Sequence, residues 1–198
     1  MLKGRMTMKQ PVALVIGAAR DEGRAAADAL AQAGLHVIAV DLNPDGLERL
    51  MDVIRAAGGS AEAHAVDVSN KMAVQTLIYT MLEAHPQIDV LVCAAEIVPG
   101  TPALRMDEGE WDRVFAVNLK GAFLAAQTVA RAMQATGGGT LLIVVREGLS
   151  GHAAVDSARA GLAALCDALD REWRAAGVRV EAIRHGHDAG ARLATNAG

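Results

Sequence analysis

Apolar residues along this chain fall into short blocks, separated by longer stretches in which they recur every three or four positions. The blocks cover residues 12–16, 36–40, 61–65, 90–94, 141–145 and 178–183. Most are continuous rather than alternating, the pattern of strands covered on both faces. The periodic stretches predict helices over 23–33, 44–57, 71–85, 110–135 and 156–175. Gly34, Gly58, Pro86, Gly137 and Gly177 end them, and Asn43-Pro44-Asp45 and Ser69-Asn70 supply N-terminal caps. Strands alternating with helices predict an α/β fold: a doubly wound parallel sheet in three layers with right-handed crossovers. No linker, repeat or low-complexity tract divides the chain. A single domain is expected over 11–186, with a leader at 1–10 and a short tail at 187–198.

Composition narrows the function classes. With 52% hydrophobic residues among 198, disorder is excluded. The apolar runs are strand-length, so no membrane span is expected. The formal net charge is −4, the 19 basic residues are scattered, and only 3% of positions are aromatic. A nucleic-acid-binding surface needs a basic patch and stacking rings, and neither is there. Cys93 and Cys166 lie inside apolar segments and read as free, buried thiols. The basic residues Lys3, Arg5 and Lys9 precede too short an apolar run for a signal peptide, so a cytoplasmic location is expected.

In open α/β sheets, ligands bind at the carboxyl ends of the strands. The first such end reads Ile16-Gly17-Ala18-Ala19-Arg20-Asp21-Glu22-Gly23. Gly17 and Gly23 have the spacing that brings backbone N–H groups and a helix N-terminus to a pyrophosphate. Asp41, ending the second strand, offers a carboxylate to both hydroxyls of an adenosine ribose and repels a 2′-phosphate.

With these residues the chain resembles the short-chain dehydrogenase/reductase family, from about Gln10 to Gly186. Residues 16–23 stand where that family has TGxxxGxG. Asp67-Val68 stands at its adenine-contacting aspartate, Cys93-Ala94-Ala95-Glu96 at its NNAG segment, and Val117-Asn118-Leu119-Lys120-Gly121 at its VNLxG helix. Residues 178–186 resemble its VRVNxIxPG strand. The resemblance implies a Rossmann-type sheet and an NAD site formed by Gly17, Arg20, Gly23, Asp41, Asp67, Val68 and Ala94. Asp21 and Glu22 would repel a pyrophosphate, with Arg20 and Arg24 offsetting part of that, and Glu96 replaces a glycine lining the cleft. Any NAD binding is therefore expected to be weak. Where the family pairs a threonine with an asparagine, Ile16 and Cys93 are both apolar. Replacing both ends of a buried hydrogen bond can leave folding nearly unchanged.

The family reduces ketones with a tyrosine as proton donor, a lysine four residues on, a serine that holds the carbonyl and an asparagine that supports a proton relay. Only the asparagine has a match, Asn118; a buried asparagine satisfying backbone groups is an equally natural reading of it. Val155 and Arg159 stand at the tyrosine and lysine positions, and Arg159 could still hold a ribose. The one tyrosine, Tyr79, has Glu83 four residues later, so no YxxxK exists anywhere. Residues 144–147 stand where the serine belongs, with Ser150 a few residues late. Residues 187–198 are too few for a substrate-covering helix and a seventh strand, so no lid is expected.

Three functions follow as alternatives. One is a non-catalytic partner subunit or weak dinucleotide-binding module. Another is an NAD-dependent oxidoreductase using Asn118, Ser150 and Arg159. The last is an unrelated hydrolysis through Ser150, His152 and Asp156. His185 and His187, with His152, lack a carboxylate or thiolate to complete a set, so no metal is expected. Leu162, Leu165, Cys166, Leu169 and Trp173 make one apolar stripe, and alanines at 158, 160, 163, 164 and 168 leave the other face small and weakly polar. The family pairs these helices across a dimer. A homo-oligomer through 110–135 and 156–175 is expected, or a heteromer with an active relative.

Overall fold

The computed structural model describes residues 10–184. The leader up to residue 9, the tail at 187–198 and the histidines at 185 and 187 lie outside the described residues. Six strands alternate with helices. They are β1 (Val12–Ile16), α1 (Asp21–Gln32), β2 (His36–Asp41), α2 (Pro44–Ala56), β3 (Ser60–Ala65), α3 (Lys71–Ala84) and β4 (Val90–Cys93). Then come α4 (Glu108–Phe115), α5 (Ala122–Thr136), β5 (Gly139–Val145), α6 (Ala153–Trp173) and β6 (Val178–Arg184). Every pairing is parallel and the strand order is β3-β2-β1-β4-β5-β6. The order reverses between β1 and β4, which opens a crevice at their carboxyl ends.

Alternation along β1 shows how the sheet is held. Val12, Leu14 and Ile16 pack with residues of α3, α5 and α6, including Ile78, Val129 and Leu162. Ala13 and Val15 face the other way, into α1 and α2 with Leu30, Leu47 and Ile54. A strand flanked on both sides must be apolar at every position, and all five residues of β1 are buried. The edge strands differ: in β3 Glu62 and His64 sit among small residues and none of the six positions is fully buried, and β6 exposes Arg179 and Arg184.

Several boundaries differ from the pattern by one to three residues, among them the starts of α1 at Asp21 and β5 at Gly139. The helix expected over 110–135 begins at Glu108, capped by Asp107 Oδ1 accepting from the Glu110 amide at 2.8 Å. It is interrupted by a π-helical turn at Ala116–Gly121. The periodicity reads straight through that turn because one extra residue in a helix barely disturbs a three-to-four spacing. The helix expected from 156 begins at Ala153. Among the described residues no helix is long and apolar enough to cross a membrane.

Candidate functional site

The turn after β1 is built around close backbone contacts. The Gly17 amide donates to Val40 O at 2.8 Å, and Gly17 adopts φ +81°. A Cβ on Gly17 would sit 2.5 Å from the Ala95 amide nitrogen, and one on Gly23 would sit 2.0 Å from Gly17 O. Both glycines therefore let β1, α1 and the end of β4 meet. Asp21 occupies a left-handed conformation at φ +51°, the only non-glycine among the described residues to do so. That is the position at which the motif carries a glycine, and the backbone has kept the glycine geometry.

Asp41 closes the turn from the side. Its carboxylate accepts from the Ala19 amide at 3.1 Å and from the Asn43 amide at 3.0 Å. Asp67 accepts from the hydroxyl and amide of Ser69 at 2.7 and 2.9 Å. The Ser69 hydroxyl is the main cause that holds the Asp67 carboxyl below its ordinary range. A cleft of about 150 Å³ opens between these groups, with Gly17, Arg20, Leu42, Val68, Ala94 and Glu96 on its walls. Arg113, not anticipated from the sequence, also lines it. The register sets Ile16 beside Cys93, both buried, so the apolar replacement of the family's polar pair is a local packing contact. Burial pushes the Cys93 and Cys166 thiols up to about 12.

At the inner end of the cleft, four charged side chains bind one another. Arg146 donates to Glu22 from Nε at 3.1 Å and from Nη2 at 2.5 Å, and to Glu96 from Nη1 at 2.8 Å. Arg159 grips the same Glu96 with Nε at 2.8 Å and Nη2 at 3.0 Å. Side-chain exposures of 11–20% keep water largely out of the network. Burial pulls the Arg146 guanidinium down, but Glu22 and Glu96 outweigh it and hold the group above its ordinary value. For Arg159, the Glu96 hydrogen bonds are the leading cause of the same upward shift. Arg146 supplies a counter-charge for Glu22, while Arg20 is exposed on the cleft wall and Arg24 is exposed on α1.

The sequence-predicted catalytic positions are placed as follows. Val155 is fully buried beside Val114, Ala154 and Ala158. Arg159, one turn on, is bound to Glu96 as described. Asn118 lies in the π turn and is buried; its Oδ1 accepts from the Ile97 amide at 2.8 Å while its Nδ2 donates to Ile97 O at 2.9 Å. Both polar ends of that side chain hold the loop after β4. Ser150 donates from its hydroxyl to Asp156 at 2.7 Å, and its amide donates to the same oxygen at 2.8 Å. These bonds hold the Asp156 carboxyl below its ordinary range, the amide bond first. His152 meets Ser150 through its backbone amide at 3.1 Å. The three residues form a helix-entry turn, not a Ser-His-Asp relay.

The family model for short chain dehydrogenases matches residues 11–192. The chain belongs to the short-chain dehydrogenase family. A D-threitol dehydrogenase of Mycolicibacterium smegmatis is 34% identical over 176 residues, covering 87% of this chain and 68% of that enzyme. An NAD-dependent glycerol dehydrogenase of Listeria innocua is 30% identical, with 87% and 68% covered. Among solved structures, a metagenomic short-chain oxidoreductase in complex with NADP superposes with a TM-score of 0.89 at 32% identity, over 94% of this chain and 90% of that one. An NAD+-bound xylitol dehydrogenase superposes with a TM-score of 0.83 at 26% identity, over 89% and 70%. In this family member Gly17, Asp41, Asp67 and Val68 line one cleft. Besides Arg113, the sequence pattern missed Arg146. Its signal was an arginine directly after an apolar strand, at a place where the family resemblance leads to a serine.

Proposed function

We propose that this member of the short-chain dehydrogenase family does not transfer hydride and serves as a partner subunit whose cleft binds a dinucleotide weakly. The observation that carries the reading is Val155, fully buried at the place of the family's proton donor. A developing alkoxide needs a proton at that point, and a valine has none to give. The other groups that an unorthodox oxidoreductase would draw on are engaged elsewhere: Asn118 with Ile97, Ser150 with Asp156 and Arg159 with Glu96.

The residues fit the adenosine half of a dinucleotide and not the nicotinamide half. Asp41, Leu42, Asp67 and Val68 line an open cleft. At the far end, the Glu22–Arg146–Glu96–Arg159 network holds the serine and lysine places and satisfies its own charges. A ligand phosphate there must compete with Glu22 and Glu96 for the arginines. Asp41 favours NAD over NADP, because a 2′-phosphate beside a carboxylate is repelled. The outer face of α6 supports assembly: Leu162, Cys166 and Leu169 are turned into the core, while Ala160 and Ala164 are exposed as a smooth surface suited to a second copy or an intact relative.

The test is calorimetric titration with NAD and NADP alongside a turnover assay on the same preparation. Weak NAD binding with no NADH formation is expected. Tight binding, a preference for NADP, or turnover would overturn the reading.

A further inference from the structure

Away from the cleft, three of the chain's six histidines and one glutamate converge where the edge strand meets the end of α3. His36 opens β2, Glu62 and His64 lie two apart on β3 and so share a face, and His85 follows the last turn of α3. Glu62 Oε1 is 3.7 Å from His36 Nε2 and 3.3 Å from His85 Nε2, while Glu62 Oε2 is 3.7 Å from His64 Nε2. One donor atom each of His36, Glu62 and His85 falls within 4.8 Å of the others. A tetrahedral zinc with bonds of about 2.0–2.1 Å sets its donor atoms roughly 3.3–3.5 Å apart, so small side-chain shifts close this set around an ion.

The cluster's hydrogen bonding points the same way. His36 Nε2, Glu62 Oε1 and His64 Nε2 are buried atoms with no hydrogen-bond partner. Buried polar atoms normally have one, and a set left without them needs an occupant. Ordinary ion pairs would align N–H to oxygen, but no such bond forms here despite the short separations. The His36 and His85 rings also stack with centroids 4.7 Å apart, and both Nε2 atoms approach the same Glu62 oxygen. His36 Nδ1 lies 2.7 Å from Ser60 Oγ, a supporting bond of the kind that fixes a ligating histidine's tautomer and leaves Nε2 free for the metal. The C-terminal end of α3 adds partial negative charge and carries no basic residue in its last turn.

We propose that His36, Glu62 and His85 bind a zinc(II)-class divalent cation, with His64 beside the other carboxylate oxygen of Glu62. Imidazole-rich sets with one carboxylate select zinc-like ions over magnesium or calcium. Bound there, the ion pins the edge strand β3 to β2 and to α3 and keeps that edge from pairing with another chain.

The experiment uses the full chain, stripped with a chelator and titrated with Co2+ as a visible probe, then with Zn2+ and Mg2+. The expected result is one equivalent of Co2+ with the intense d–d bands of a tetrahedral site, displaced by Zn2+ and not by Mg2+, and a higher melting temperature with Zn2+. Glu62→Gln and His85→Gln should abolish the spectrum, and Ser60→Ala should weaken binding roughly 10-fold. His85 lies at a helix end and is half-buried, so its variant keeps the test decisive if Glu62→Gln fails to fold. A double variant, His185→Gln with His187→Gln, should bind as the parent does. No Co2+ bands at millimolar metal, or bands that vanish only in the double variant, would overturn the site.

Discussion

Replacing Arg146 with methionine tests whether the cleft's charges neutralise one another. The substitution keeps the length of the side chain and removes the guanidinium. Glu22 loses two charge-assisted hydrogen bonds from Arg146, and Glu96 loses one while keeping two from Arg159. Removing one partner of a buried ion pair costs about 3–5 kcal/mol. The side chains here are 11–20% exposed, which places the loss near the lower figure, at about 3 kcal/mol. For a chain of this size each kcal/mol moves Tm by about 2–4 °C, so the melt should shift down by about 6–12 °C. Adding Glu22→Gln removes the charge that Arg146 balanced and should recover about half of the loss. Circular-dichroism melts at neutral pH make the measurement. A shift below about 2 °C, or a double variant no better than the single, would show that water already screens these charges and that the network does not close the cleft.

Other expectations follow from single positions. Asp21→Gly should hold or raise stability, since φ is +51° there, whereas Asp21→Val should lose about 2 kcal/mol in thermal melts. Asp21→Gly combined with Glu96→Gly should tighten NAD binding by calorimetry. Val155→Tyr with Arg159→Lys restores the motif letters, yet it should lose about 1–3 kcal/mol by overpacking a fully buried site and gain no turnover. In their folded environment Asp67 and Asp156 titrate below the ordinary 3.8, so the unfolded chain binds more protons there. Their stabilisation is complete above that pH and drains as pH falls below it; Asp67→Asn should flatten this acid limb in melts run down to about pH 2.5. Light scattering should give at least a dimer, which Ala164→Arg reduces to a monomer.

The fold was legible because its code is local. Short continuous apolar blocks fit strands covered on both faces: every residue of β1 is buried, as are the four central residues of β2 between the half-buried His36 and Asp41. The cleft was legible where it depends on backbone shape: Gly17, Gly23 and Asp41 each have a role that residue type announces. The ion network was not legible, because Glu22, Glu96, Arg146 and Arg159 come from four separate segments and only the packed sheet brings them together. Asn118 could be read two ways because its spacing fits both a catalytic and a tethering role; its bonds to Ile97 depend on a π turn that periodicity does not reveal. The histidine cluster escaped notice for a related reason. The sequence pattern expects no metal, since it weighs histidines close together near 185, while His36 and His85 meet Glu62 only through the β2–β3 register and the length of α3.

The central claim is that this dehydrogenase-family chain has no group to protonate a reduced carbonyl. The most direct measurement is an end-point reaction with 4-deuterated NADH in excess over protein and a panel of small ketones and aldehydes, read by mass spectrometry of the products. The expected result is no deuterated alcohol beyond the protein-free control at any pH from about 6 to 9. Protein-dependent deuteride transfer that disappears in Asn118→Ala would contradict it.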